Sequence, residues 1–150
     1  MGAANGKVAV STENRFEISR VAKKNLNMQE GKITKEFIVT EADTAAKLGS
    51  GTLAVLATPM LVAFMENTAM QLVADLGEGE SSVGTMINVQ HLKASAVGEN
   101  IRCTAEITNR EGRKYNFGIE AVDSSGEVIG KATHERFVVN VERFMGKLNK

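Results

Sequence analysis

Thr58, Glu66 and His91 are the residues here whose types can relay protons. Glu66 lies in "TPMLVAFMENTA" (58–69), an apolar run that reads as a buried helix. On a helical wheel it falls with Val62, Ala63, Met70 and Val73, whereas Asn67, Gln71 and Asp75 form the polar stripe. An unpaired buried carboxylate costs several kcal/mol, against about 5–15 kcal/mol for the stability of a whole domain. Glu66 must therefore be protonated, be partnered, or line a wet site. His91 sits in "GTMINVQHLKASA" (84–96) and shares a face with Ile87 and Val89, the face that should turn toward the helix. A carboxylate and an imidazole facing one cavity are the parts of general acid–base catalysis. Thr58, followed by Pro59, reads as the N-cap of the helix. Eight residues of helix put its backbone about 12 Å from that of Glu66, so it would act through His91 or a substrate.

Other chemistries fade. His134 and Arg136 share a strand face two residues apart, where an inward-facing Arg could hold an anion or a carboxylate. "GSGTLA" (49–54) matches a dinucleotide fingerprint but does not join a hydrophobic strand to a helix, so it reads as a flexible turn. With two histidines and no HExxH spacing, no metal site and no cofactor are expected. Cys103 alternates with apolar residues and reads as core.

The elements that must position these side chains follow from the pattern. "KITKEFIV" (32–39) is a first strand, and a helix runs from Thr58-Pro59 to Leu76, closed by Gly77. Four strands follow, over 84–96, 100–108, 114–122 and 128–141, joined by short turns such as "DSSGE", with a helical turn or two over 142–148. One long helix against a mainly antiparallel sheet is an α+β fold. Residues 1–27 read as an N-terminal extension and 28–150 as a single domain. A formal net charge of zero with interspersed signs argues against a nucleic-acid binder. No apolar run is long enough for a membrane span and no signal peptide is evident. One cysteine precludes an intrachain disulfide, so the expected location is cytoplasmic.

Three segments, "GTLAVLATPMLVAFMENTAM", "GEGESSVGTMINVQHLKAS" and "GKATHERFVV", resemble in their order the hotdog thioesterases typified by fluoroacetyl-CoA thioesterase, over about residues 28–147. The resemblance implies an antiparallel sheet wrapped around one central helix and a homodimer, or dimer of dimers, joined through sheet edges. It also implies hydrolysis of an acyl-CoA. Carried over by motif, it implies catalytic roles for Thr58, Glu66 and His91 and substrate binding at Gly84 and Arg136. The segment ahead of Thr58, "GSGTLAVL", has no aromatic residue where the family's type enzyme shields its pocket with them, so fluoroacetyl selectivity is not expected. The Glu-to-His interval is also one residue shorter. Coenzyme A phosphates would need cations, and Lys93, Arg110, Arg113 and Lys114 are candidates. Two rivals stay open on the residues alone: a hotdog hydratase acting on enoyl thioesters, and a non-catalytic acyl-ligand binder.

Overall fold

The computed structural model describes residues 27–149, so the expected extension, apart from Asn27, lies outside the described residues. The order is β1 (Asn27–Gln29), β2 (Lys32–Ile38), a 3-10 turn (Glu41–Asp43), α1 (Ala45–Leu48), α2 (Thr58–Met70), β3 (Glu80–His91), β4 (Asn100–Glu111), β5 (Lys114–Val122), β6 (Val128–Asn140) and α3 (Val141–Gly146). The strands form one sheet in the order β1-β2-β4-β5-β6-β3, with every adjacent pair antiparallel. β1 is a short strand that the sequence pattern did not announce.

Alternation in β5 sends Tyr115, Phe117, Ile119 and Ala121 inward, and β6 does the same with Ala132 and Val138. Across from them α2 buries Leu61, Phe64, Met65, Thr68 and Ala69. Phe64 stacks on Phe37 of β2 with ring centroids 4.4 Å apart. Such burial is worth about 1.5–3 kcal/mol for each large apolar side chain, and it fixes the helix against the sheet. Cys103 is fully buried in this layer, as expected of a core residue, and burial pushes its thiol up to about 12.

Two helix boundaries differ from expectation. Ala57, not Thr58, is the N-cap; Thr58 is the first helical residue, and its hydroxyl is committed elsewhere. The helix also ends at Met70 rather than Leu76. Gln71, Leu72 and Val73 bond back three residues, to Thr68, Ala69 and Met70, which tightens and closes the last turn. Gly77 caps nothing; its N–H donates to Glu80 Oε1 at 2.7 Å.

A bulge in β3 decides which side chains face the helix. Gly84 pairs with Arg136 and Met86 with Glu135, leaving Thr85 as the extra residue. Its hydroxyl is held by Glu135 Oε2 at 2.6 Å. Gly84 and His91 are separated by an odd interval and would lie on opposite faces of a regular strand. The bulge shifts the phase, so that Gly84, Ile87, Val89 and His91 lie opposite Arg136, His134, Ala132 and Gly130 respectively.

Candidate active site

Thr58 enters the site from the first position of α2. Its Oγ1 lies 2.8 Å from His91 Nδ1, across from the last residue of β3. That contact explains why Thr58 does not cap the helix. The other ring nitrogen, His91 Nε2, is buried and has no hydrogen-bond partner among the described residues. Desolvation lowers the pKa of His91, which favours the neutral ring.

Glu66 stands two turns along α2, on the flank of the buried stripe rather than in it. Its side chain is 37% exposed, so the expected buried carboxylate is instead partnered and at a wet edge. Oε2 lies 3.6 Å from Arg136 Nη1. No hydrogen bond reaches this carboxylate among the described residues, leaving its lone pairs open.

Arg136 is 7% exposed and held on three sides. Its Nε donates to Ser82 Oγ at 2.9 Å, its Nη2 to Ser82 O at 3.0 Å, and its Nη1 to His134 Nε2 at 3.2 Å. His134, 1% exposed, has its Nδ1 2.7 Å from Met86 O. A carbonyl only accepts and a guanidinium only donates. His134 is therefore the neutral tautomer with its proton on Nδ1 and its Nε2 lone pair toward Arg136. Its pKa is lowered by desolvation, with the neighbouring guanidinium acting in the same direction.

Gly84 closes the cluster. A Cβ there would lie 3.0 Å from Glu66 Oε2, 3.2 Å from His134 Cε1 and 3.5 Å from Arg136 Nη1. Its φ is not positive, so this glycine is required by space, not by backbone conformation.

The sequence-chosen residues thus fall into two adjoining groups, Thr58 with His91 and Glu66 with Gly84 and Arg136. Sequence reasoning under-read His134 and Ser82; the available signal was the His-x-Arg alternation on an inward face. It also missed Lys35, a lysine only 2% exposed, in phase with Ile33 and Phe37, whose Nζ donates to Asn67 Oδ1. Asn67 is therefore not part of a solvent stripe. Among the described residues no three His, Cys, Asp or Glu side chains gather as a metal would need.

The chain is similar to known proteins over most of its described length. Residues 39–142 match the sequence model for fluoroacetyl-CoA-specific thioesterase. The fluoroacetyl-CoA thioesterase of Streptantibioticus cattleyicolor is 39% identical over 95 residues, covering 63% of this chain and 68% of that protein. A solved mutant of the fluoroacetyl-CoA-specific thioesterase, in complex with fluoroacetate and CoA, superposes with a TM-score of 0.72. It is 34% identical and the match covers 78% of this chain and 99% of that one. A hot-dog-like protein from Thermanaerovibrio acidaminovorans, 21% identical, shares the fold with a TM-score of 0.70 over 78% of this chain and 87% of that one. The fold is a hotdog. No helix among the described residues is long and apolar enough to cross a membrane.

Proposed function

The chain belongs to the fluoroacetyl-CoA-specific thioesterase family and is an acyl-CoA thioesterase, and we propose that Thr58, Glu66 and His91 carry the hydrolysis of a small or medium acyl-CoA to free acid and coenzyme A. The observation that supports this reading best is the Thr58–His91 contact at 2.8 Å, which leaves His91 Nε2 buried and unpaired. A buried polar atom without a partner costs about 1–3 kcal/mol. A substrate that completes it would recover that cost.

In this reading Glu66 takes a proton from water as the water attacks the thioester carbonyl, or attacks the carbonyl itself to give a transient anhydride. With Thr58 donating its hydroxyl proton to Nδ1, the imidazole carries its own proton on Nε2. From there it stabilises the developing oxyanion and then protonates the departing thiolate. The positive end of the α2 dipole beside Thr58 favours the same charge. Arg136, fixed by Ser82 and His134, holds Glu66 in place, and Gly84 leaves room for the carboxylate.

The acyl group is part of the proposal. The segment ahead of Thr58 presents Leu53 and no aromatic shield, which supports an acyl group other than fluoroacetyl. β3 is a 12-residue edge strand with its outer side unpaired among the described residues, a surface that invites pairing. Its pairing with a second copy, giving a dimer or a dimer of dimers, would bring two sites to one interface. The cytoplasmic location expected from the lone cysteine belongs to the same proposal.

The test is release of free thiol from short, branched and aromatic acyl-CoAs by wild type and Glu66→Gln. The reading requires turnover of at least one thioester and a loss of at least about a hundredfold in the folded variant, the scale of a general base. An unimpaired Glu66→Gln would remove Glu66 from the chemistry.

A further inference from the structure

His134 is a buried titratable group to which the hydrolysis above gives no part in proton transfer. Its ring is 1% exposed and stacks on Phe117 of β5, with ring centroids 5.8 Å apart. Ile87 of β3 stands opposite it on the other side. The charged groups around the ring are Arg136 and Glu135 of its own strand and Glu66 of α2. Both ring nitrogens are spent. Nδ1 donates to Met86 O at 2.7 Å, and Nε2 accepts from Arg136 Nη1 at 3.2 Å. The same Nη1 lies 3.6 Å from Glu66 Oε2. One nitrogen of Arg136 thus links the imidazole to the carboxylate.

A second proton on His134 can bind only at Nε2, and there it points at Nη1. An imidazolium donates from both nitrogens and a guanidinium has no acceptor, so the bond becomes a contact of two donors and two positive charges. Nδ1 keeps its carbonyl, so the ring stays where it is. The other edge of the guanidinium is tied to Ser82 through Nε and Nη2. The Nη1 corner must turn away, and that is the corner facing Glu66. The carboxylate then loses the cation that places it, while the new charge on the imidazolium pulls it toward the ring. We propose that His134 is a positioning residue for the hydrolysis: its neutral ring fixes Arg136 and, through Nη1, Glu66, and its protonation releases the carboxylate and stops turnover. Burial, with the neighbouring guanidinium acting in the same direction, lowers the pKa of this ring and keeps it neutral near pH 7.

This rests on the thioesterase reading, so the test has an arm for each. The kcat/KM of wild type and of His134→Gln is measured on one thioester from about pH 7.5 to 5, over the range where both proteins stay folded. Gln keeps a donor and an acceptor but takes up no proton. His91 is common to the two proteins, so its titration cancels in their ratio. The proposal expects the ratio of wild type to variant to be constant near neutrality and to fall about tenfold per pH unit below a single midpoint. NMR of wild type gives the midpoint of His134 directly; the chain has two histidines, and His91→Gln tells them apart. That midpoint must equal the kinetic one, and the Arg136 Nε–H signal must move with it. A ratio that is flat in pH, or a His134 that stays neutral while the ratio falls, overturns the proposal. If His134→Gln does not fold, wild type decides: an Arg136 signal that ignores the titration of His134, or a His134 neutral over the whole folded range, overturns it. If no thioester is hydrolysed, the thioesterase reading fails, and the NMR still decides whether His134 governs Arg136.

Discussion

Replacing Gly84 by Ala should damage catalysis far more than folding. The added Cβ would stand 3.0 Å from Glu66 Oε2, some tenths of an ångström inside ordinary contact, and 3.2 Å from His134 Cε1. His134 cannot yield easily, because Met86 O holds its ring at 2.7 Å, and Arg136 is fixed by two bonds to Ser82. The carboxylate is the free end of a 37% exposed side chain, so it is the group that moves. Its outward rotation costs the fold little, near the low end of the 1–3 kcal/mol typical of overpacking. For a domain of this size that is a fall in Tm of about 2–4 °C. The same displacement takes Glu66 off the reacting carbonyl, where a shift of about 1 Å can cost a hundredfold. A shift of half that should lower kcat/KM by about tenfold, or about 1.4 kcal/mol in the barrier. Gly118→Ala is the control in the same sheet, since its Cβ would meet only Thr108 Cγ2 at an ordinary 3.5 Å. Thiol release and thermal denaturation are measured on all three proteins. A folded Gly84→Ala variant within threefold of wild type would refute the packing argument.

The Thr58–His91 bond predicts a graded response. Thr58→Ala should lower kcat by up to about tenfold, the net worth of one hydrogen bond at an exposed position, and Thr58→Ser should regain most of it. Equal losses in the two variants would show that the methyl, not the hydroxyl, matters. The two histidines predict a pH dependence of stability. Burial lowers both pKa values in the fold, below the unfolded value of about 6.5. Between the two values the unfolded chain binds more protons, so stability rises with pH. Their contribution is full above about pH 6.5 and is lost as pH falls through the folded pKa, at most about 1.4 kcal/mol per pH unit for each ring. In urea titrations between about pH 7.5 and 5.5, His134→Gln should show a shallower acid decline than wild type; an equal slope would mean that His134 does not titrate in this window.

What was legible in the sequence followed periodicity. Alternation located β5 and β6 nearly to the residue and the start of β4, which runs on three residues past the expected end to Glu111, because one face of each is buried and apolar and the turns between them carry Gly, Asp and Ser. Where a polar side chain serves a distant partner, the local rules misled. Thr58 has the type and position of an N-cap, but tertiary contact with His91 outweighs a cap that Ala57 can supply through its backbone alone. Lys35 and Arg136 both occupy inward positions, and each is satisfied there by a side chain far away in the chain, Asn67 for one and Ser82 for the other.

The least legible feature is the one on which the site depends. Alternation alone places Ile87, Val89 and His91 together but assigns Gly84 to the opposite face, seven residues from His91. A site that uses both requires one break in phase between them, and the only evidence for it in the sequence would be an extra residue in an otherwise regular strand. Thr85 is that residue, pinned outside the ladder by its hydroxyl bond to Glu135. The bulge brings the space that Gly84 leaves for Glu66 onto the same side of the sheet as the imidazole that Thr58 orients. In a regular ladder of the same residues, Gly84 would turn to the outer face, and Thr85 would stand opposite Arg136 in its place and put a side chain where the carboxylate now lies. The two groups of the site are therefore joined not by a contact between Glu66 and His91 but by the register of the strand that carries Gly84 and His91.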